Sequence, residues 1–285
     1  MPELPEVEVI RRGLLPHLKG VKVIATRTGP KDLRLPIPRE KLDRWITSAA
    51  ITDLYRRGKY LLLMTDKKAA MIIHLGMTGN LVIFPAEAPP ALHDHICFCL
   101  ENGLELRYND VRRFGCLQLL DPEELSKKNN FASLGPEPLA TANPGWLEPA
   151  QPVFSGGYLK QKAGKRVQPI KNFLMDNRVV AGIGNIYANE ILFLAGILPS
   201  TPIGSVSSGQ WQKITAAARE ILQKAIEMGG STIRNYANSS GNQGYFQSNL
   251  MVYGREGKSC KICGTPIKKE IIAGRGTYLC PGCQI

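Results

Sequence analysis

The sequence predicts a multidomain α+β protein: an N-terminal β-sandwich with flanking helices, a helical domain and a small C-terminal cysteine module. The first observation is a helical apolar repeat followed by many short apolar runs between turn signals, which is typical of a sandwich or barrel. The second is the return of helical periodicity after a proline-rich stretch. The third is a pair of Cys-x2-Cys knuckles near the end of the chain.

The proline-rich stretch predicts where the domains divide. Residues 134–152 contain five prolines, a density typical of an interdomain linker. We therefore expect a sandwich domain over 1–134, a linker over 135–152, a helical domain over 153–248 and the cysteine module over 249–285.

The charge balance favours a polyanionic partner. Lysine and arginine number 36 and aspartate and glutamate 24, so the formal net charge is 36 − 24 = +12, with a pI of about 9.4. Nucleic acid is the commonest such partner, although a merely soluble basic protein would have the same composition.

Neither secretion nor membrane insertion is expected. The first residues lack the basic and apolar regions of a signal peptide. The most apolar window, residues 179–198, contains Asn185, Asn189 and Glu190, which argues against a membrane span. We expect a reducing, cytoplasmic compartment.

A helix is predicted directly after the N-terminus. Its apolar residues recur at helical spacing: Val7, Ile10, Leu14, Leu15 and Leu18. Pro5 suits the first helical turn, and Pro16 should kink or end the helix. The helix would hold Pro2 and Glu3 against the body of the protein.

Short strands should follow up to about residue 120. The candidates are 21–26, 60–64, 70–74, 81–84, 96–100, 104–108 and 116–119. Asn102-Gly103 between two of them predicts a hairpin. Cys97, Cys99 and Cys116 lie in these runs, so we expect buried thiols.

Two apolar stripes predict helices in the second half, one at Ala188, Ile191, Leu192 and Ala195, the other at Ile214, Ala218, Ile221, Leu222 and Ala225. Ser207 and Gln210 form a candidate capping box before the second helix. The polar stretch 229–248 is long for a connector, so it is either functional or disordered.

The N-terminal residues have the chemistry of a nucleophile with proton carriers. Removal of Met1 would expose the secondary amine of Pro2, which can attack an aldehyde-like carbon to form an iminium. Glu3 and Glu6 place two carboxylates nearby for acid–base work. An ordinary N-terminus followed by a helix is the alternative.

The four C-terminal cysteines predict a structural zinc site. Cys260, Cys263, Cys280 and Cys283 supply four thiolates, which leave no open coordination position for catalysis. A disulfide framework is disfavoured in a chain without a secretion signal.

Several motifs together resemble the formamidopyrimidine-DNA glycosylases, which are bifunctional DNA-repair enzymes that remove oxidised purines. They are the N-terminal hexapeptide, the stretches 56–60, 74–79, 109–115 and 180–187, and the paired cysteines. The resemblance covers nearly the whole chain. It implies a helix–two-turn–helix element around Asn185 and a zinc-finger β-hairpin around residues 273–277.

The resemblance also implies an activity. The enzyme would excise 8-oxoguanine and formamidopyrimidines through a proline Schiff base and cut the strand by β,δ-elimination. Its partner would be double-stranded DNA with oxidised bases or abasic sites, bound by a monomer in a cleft between domains. It implies one structural Zn2+, no redox or nucleotide cofactor, no membrane, and activity at the bacterial nucleoid.

Site residues follow from the matching positions. The implied catalytic residues are Pro2, Glu3, Lys59 and Glu6, of which Glu6 also suits the helix dipole. The implied DNA contacts are His74, Met77, Arg112, Phe114, Asn185 and Arg275. Met77 would enter the space of the flipped nucleotide, Arg112 would pair with the orphaned base, and Phe114 would wedge the stack.

The chain departs mildly from the family pattern at Thr78, where Ser is usual, and at Val111, where Pro is frequent. The related endonuclease VIII branch, which prefers oxidised pyrimidines, is the nearest alternative. A non-enzymatic zinc-finger DNA-binding protein is the alternative from another class, and the intact Pro2, Glu3 and Lys59 argue against it.

Overall fold

The structure of the protein is a computed structural model that describes residues 2–127, 131–141, 143–144, 147, 152–231 and 246–285. Contacts within the chain divide it into two units, Met1–Asn130 with Met228–Tyr245, and Phe131–Glu227 with Phe246–Ile285. Across the described ranges, no helix is long and apolar enough to cross a membrane. The predicted four-segment division at residues 134, 152 and 248 stays a prediction.

The first unit contains two four-stranded antiparallel sheets, with strand orders β1-β6-β7-β5 and β2-β3-β4-β8. The helices are α1 (Leu4–Leu18), α2 (Arg39–Trp45) and α3 (Pro122–Lys127). The strands are β1 (Val23–Thr28), β2 (Ile51–Arg57), β3 (Tyr60–Thr65), β4 (Ala70–His74), β5 (Asn80–Pro85), β6 (Asp94–Leu100), β7 (Leu104–Asn109) and β8 (Cys116–Leu120).

One apolar core joins both sheets and α1. It includes Leu14 from the helix, Leu63 from one sheet and Phe98 from the other, all with no exposed surface. The predicted β-sandwich is therefore confirmed, because two layers of alternating strands bury their inner faces together.

The first helix forms as predicted. Glu3, in an extended conformation, precedes it, Pro5 lies in its first turn, and the carboxylate of Glu6 accepts from the Glu3 amide at 2.8 Å. Pro16 lies in the last turn, and the helix ends at Leu18.

In the first unit, the structure differs from the prediction at three elements and two cysteines. Strand β2 was not predicted because its sequence contains three charged residues, α2 because it buries a single side chain, and α3 because it buries none. Cys116 is buried as expected, but Cys97 and Cys99 are only half-buried. Side chains alternate between the two faces of a strand, and Cys97 and Cys99 both lie on the outer face of β6.

The second unit is helical and ends in a β-hairpin. Its elements are α4 (Gly156–Ala163), α5 (Ile170–Met175), α6 (Asn185–Ala195), α7 (Ser208–Glu227), β9 (Lys268–Ile272) and β10 (Arg275–Leu279), with short 3-10 turns at Ile203–Ser205 and Phe246–Asn249. The capping box before α7 is confirmed, since Ser207 and Gln210 exchange backbone-to-side-chain hydrogen bonds of 2.8 and 3.2 Å.

Candidate functional site

The N-terminal turn of the first unit is buried and held by a carboxylate. Pro2 and Glu3 are both buried, and the Glu3 amide donates to Glu6 Oε2 at 2.8 Å. Glu6 Oε1 accepts from the amide and from the hydroxyl of Ser231, each at 2.8 Å. Glu6 therefore fixes the backbone that follows Pro2. Ser231 is the last described residue before the segment 232–245. Most of the stretch 229–248, which was predicted to be either functional or disordered, therefore lies outside the described residues.

Lys59 is buried in the turn between β2 and β3, and an ion pair joins this hairpin to α1. Arg56 Nε donates to Glu8 Oε2 at 3.1 Å, and Arg56 also donates to the carbonyl oxygen of the residue before Lys59. Burial alone would raise the pKa of Glu8, but hydrogen bonds from Arg11 and Arg12 and the charge of Arg56 lower it to about 2. Glu8 is therefore ionised at neutral pH and anchors the hairpin that carries Lys59.

His74, at the end of β4, is neutral at physiological pH. Burial, with the charges of Arg34 and Lys59, lowers the pKa of His74 to about 4. Its Nδ1 accepts from the Gly76 amide at 3.1 Å, which leaves the ring proton on Nε2. The ring packs against Tyr60, with centroids 5.0 Å apart. His74 can therefore donate one hydrogen bond from Nε2 to an acceptor such as a phosphate oxygen.

Two loops of the first unit carry the predicted intercalating residues. Met77, in the loop 75–79, is 41% exposed, and Phe114, in the loop 109–115, is 43% exposed. The guanidinium of Arg112 lies 4.4 Å from the centre of the Phe114 ring, within range of a cation–π contact. Exposed apolar side chains beside a cation suit insertion into a base stack.

The second unit places Asn185 beside the hairpin residue Arg275. Asn185 begins α6, and its Nδ2 donates to the carbonyl of Gly276 at 3.1 Å. The buried amine of Lys171 donates to the same carbonyl at 3.0 Å and to the Thr277 hydroxyl at 2.7 Å. The side chain of Arg275 is exposed and, with Lys171, lines a cavity of about 150 Å³. This surface combines cations and amide groups that can contact phosphates.

The four C-terminal cysteines converge on one point. Their sulfur atoms all lie within 4.8 Å of one another, with Cys260 and Cys283 at 3.8 Å and Cys263 and Cys280 at 3.4 Å. Tetrahedral zinc with Zn–S bonds of about 2.3 Å requires sulfur separations of about 3.8 Å. The donor set therefore fits one structural zinc, as the sequence predicted, and zinc would hold the hairpin β9–β10 without taking part in chemistry.

Sequence reasoning missed several residues that hold the site together. Asp110, Ser231 and Lys171 are buried and polar, and each binds a segment distant in the chain. A buried polar side chain cannot be recognised without the fold. The only signal at Asp110 was its position inside the motif 109–115.

Three family models match this arrangement in order along the chain. They are the formamidopyrimidine-DNA glycosylase N-terminal domain over residues 1–117, the formamidopyrimidine-DNA glycosylase H2TH domain over 146–237, and the zinc finger found in FPG and IleRS over 257–285. The class of protein is therefore a DNA-repair glycosylase with a zinc finger.

Full-length relatives give the family. The chain is 45% identical over 284 residues to a formamidopyrimidine-DNA glycosylase of Xanthomonas campestris pv. campestris and to one of Methylococcus capsulatus, with all of each chain covered. It also matches the Lactococcus lactis Fpg in complex with abasic-site DNA, with a TM-score of 0.86, 35% identity and 99% of both chains covered. A complex between a mutant of the L. lactis protein and Fapy-dG containing DNA matches with a TM-score of 0.87 and 35% identity over 99% of both chains. The chain belongs to the formamidopyrimidine-DNA glycosylase family, and the predicted resemblance is confirmed.

Proposed function

We propose that this glycosylase is bifunctional: it excises 8-oxoguanine and formamidopyrimidines from double-stranded DNA and then cuts the strand as an AP lyase by β,δ-elimination. Relatives named formamidopyrimidine-DNA glycosylase over the whole length support the substrate class. Complexes of the L. lactis protein with Fapy-dG and abasic-site DNA support both the lesion and the lyase substrate. Because chromosomal DNA is the substrate, we also propose action at the nucleoid in the cytoplasm.

The anchored N-terminal turn is the observation that carries the proposal. Glu6 fixes the Glu3 amide, and with it the position of the Pro2 nitrogen. Once Met1 is removed, an ordinary α-amino group has a pKa of about 7.7–8.0, so a useful fraction is neutral near pH 7. The Pro2 nitrogen then attacks C1′ of the damaged nucleotide and the bond from C1′ to the base breaks, with the amine proton balancing the charge of the departing base. The C1′–O4′ bond then opens, its oxygen takes a proton, and the proline nitrogen becomes an iminium.

Proton transfer falls to the neighbouring side chains. Glu3 is buried and adjacent to Pro2 in sequence, so we assign it the protonation of the opening sugar ring. Lys59 would contribute a cation that disfavours protonation of the proline amine and contacts a phosphate. We assign Glu6 to positioning, because both of its carboxylate oxygens accept backbone hydrogen bonds.

DNA contacts would come from both units. His74 would donate to a phosphate through Nε2, and Asn185 and Arg275 would contact the backbone from the second unit. Met77 would fill the space of the flipped nucleotide, while Arg112 and Phe114 would occupy the position opposite it. An apolar wedge offsets part of the unstacking cost of a few kcal/mol.

Borohydride trapping on an 8-oxoguanine duplex tests the proposal. The mature enzyme should yield a covalent protein–DNA adduct, because borohydride reduces the iminium. Pro2→Gly should lose most excision and trapping while it still binds DNA. A form that retains Met1, whose amine is displaced by one residue, is the matched control and should fail equally. Full trapping by the form that retains Met1 would place the nucleophile elsewhere.

A further inference from the structure

A buried carboxylate organises the loop that carries Arg112 and Phe114. Asp110 has no exposed surface. Its Oδ2 accepts from the amide of Gly115 at 2.8 Å, and its Oδ1 accepts from the amide of Arg112 at 3.3 Å. Its carbonyl oxygen pairs with Nε2 of the buried His95 at 2.9 Å. Asp110 therefore closes the loop 109–115 on itself and ties it to β6.

The same carboxylate reaches the other loop through one hydroxyl. Thr78, next to Met77, donates its hydroxyl to Asp110 Oδ1. The hydroxyl oxygen of Thr78 also accepts from the Arg112 amide at 3.1 Å. The hydroxyl of Thr78 thus contacts both the buried carboxylate of Asp110 and the backbone amide of Arg112.

The two loops also touch backbone to backbone. Gly76 has φ +62°, and a Cβ added there would lie 2.4 Å from the Gly115 nitrogen and 2.4 Å from the Phe114 carbonyl carbon. A Cβ on Gly115 would lie 1.7 Å from the Tyr108 hydroxyl. No side chain fits at Gly76 between the loops, so neither loop can move towards the other without displacing it.

We infer that Asp110 and Thr78 are positioning residues that fix the loops 75–79 and 109–115 as one rigid wedge, so that Met77, Arg112 and Phe114 enter the duplex together. The inference rests on the proposed insertion of these loops. Burial of a carboxylate is costly unless hydrogen bonds compensate for lost solvation, and Asp110 is fully buried behind exposed tips. Groups of the two loops supply the hydrogen bonds that offset this cost.

A rigid wedge has a physical advantage over two separate loops. Ordering flexible loops and side chains at an interface lowers affinity, and unstacking the duplex lowers it further. Loops that are already fixed to each other have lost this freedom in the unbound protein. Insertion then depends on the joint between the loops as well as on the inserted side chains.

Thr78→Val tests the joint, because valine keeps the shape of threonine and removes its hydroxyl. The probe is a duplex with a tetrahydrofuran abasic analogue opposite 2-aminopurine, whose fluorescence rises when the base is unstacked. Loss of this hydrogen-bonded joint should lower the affinity for the probe duplex about tenfold and the fluorescence rise at saturation at least twofold. Affinity for an undamaged duplex should stay close to wild type. The melting temperature should fall only modestly, because Asp110 keeps its hydrogen bonds to the amides of Arg112 and Gly115.

Two further variants complete the test. Thr78→Ser keeps the hydroxyl and should restore the wild-type fluorescence. Thr47→Val is the control: it removes a hydroxyl that bonds to Thr26, outside both loops, and should leave affinity and fluorescence unchanged. Wild-type fluorescence and affinity in Thr78→Val would overturn the inference, as would an equal loss on damaged and undamaged duplexes. If the wild-type protein binds without unstacking the probe, the loops do not insert and the inference also fails. Borohydride trapping of the wild-type protein reports separately on the proposed catalysis.

Discussion

Glu6 and Ser231 are joined by two hydrogen bonds of 2.8 Å, although 225 positions separate them in the chain. Through the other oxygen of Glu6, this contact reaches the backbone of Glu3. Ser231 therefore contributes to the position of the Pro2–Glu3 backbone without belonging to the N-terminal segment.

Ser231→Ala should slow single-turnover excision several-fold and leave DNA affinity unchanged. The variant keeps the hydrogen bond from the Ser231 amide to Glu6 but loses the one from the hydroxyl, and a hydrogen bond to a carboxylate contributes about 1.5–3 kcal/mol. Ser231→Thr, which retains a hydroxyl, should restore the rate. Ser205→Ala removes an exposed hydroxyl bonded to the Pro202 carbonyl and is the control. Unaltered excision by Ser231→Ala would show that Glu6 holds its place without the hydroxyl.

Glutamine substitutions should separate the roles of Glu3 and Glu6. Glu3→Gln should fold and bind DNA normally yet fail to excise 8-oxoguanine, because an amide cannot supply the proton. Glu6→Gln replaces one acceptor oxygen by an amide nitrogen, which cannot accept from the backbone of Glu3 or Ser231. Glu6→Gln should therefore lower the free energy of unfolding by about 1–3 kcal/mol and, at the same time, reduce the yield of the borohydride-trapped adduct. Chemical denaturation measures the stability of both variants, and single-turnover assays measure their excision rates. A normal excision rate per folded molecule in Glu3→Gln would show that Glu3 has a structural role.

The sequence predicted the features whose partners lie close together in the chain. The capping box at Ser207, the Gly103 hairpin turn and the two cysteine knuckles depend on spacings of a few residues. Family motifs added the residues that are predicted to intercalate. The contacts of Asp110 and Ser231 could not be predicted, because they depend on which strands and loops the fold brings together. A buried aspartate in a turn has the same local sequence as an exposed one.

Acidification should destabilise the first unit through His74. The unfolded chain binds a proton at this residue near pH 6.5, but the folded protein only near pH 4. Between these values the unfolded state binds more protons, so stability is fully present above pH 6.5 and falls as the pH falls towards 4. At pH 5 the loss should be about 2 kcal/mol. Urea unfolding of the wild type and of His74→Gln at pH 7 and pH 5 measures the difference, and NMR titration should give a midpoint near 4. Equal pH dependence in both proteins would contradict the prediction.

Removal of zinc should unfold the hairpin of the second unit. Metal binding and folding are coupled in four-cysteine modules. The hairpin is also bound to α6, where Asn189 Oδ1 accepts from the Tyr278 amide at 2.8 Å and Asn185 donates to Gly276. A chelator should therefore abolish DNA binding and deprotect the amides of residues 257–285 in hydrogen exchange. The sandwich amides should stay protected, because the core of the first unit is built from residues 7–119. Loss of amide protection in the sandwich as well as in residues 257–285 would show that folding of both units depends on the metal.

Arg275→Ala should keep zinc and the fold but weaken DNA binding. Arg275 is exposed at the start of β10, so its loss leaves no buried group without a partner. If its guanidinium binds a phosphate, affinity should fall to a similar extent for damaged and undamaged duplexes, and the slope of log K against log salt should shrink by about one unit. Arg275→Lys should keep the slope because it keeps the charge, and Lys258→Ala, at an exposed position of the same module, is the control for a general surface charge. Binding titrations at several salt concentrations measure all three. An unchanged slope and affinity in Arg275→Ala would make Arg275 a surface charge, and a loss confined to the lesion duplex would mean that it contacts the damage site.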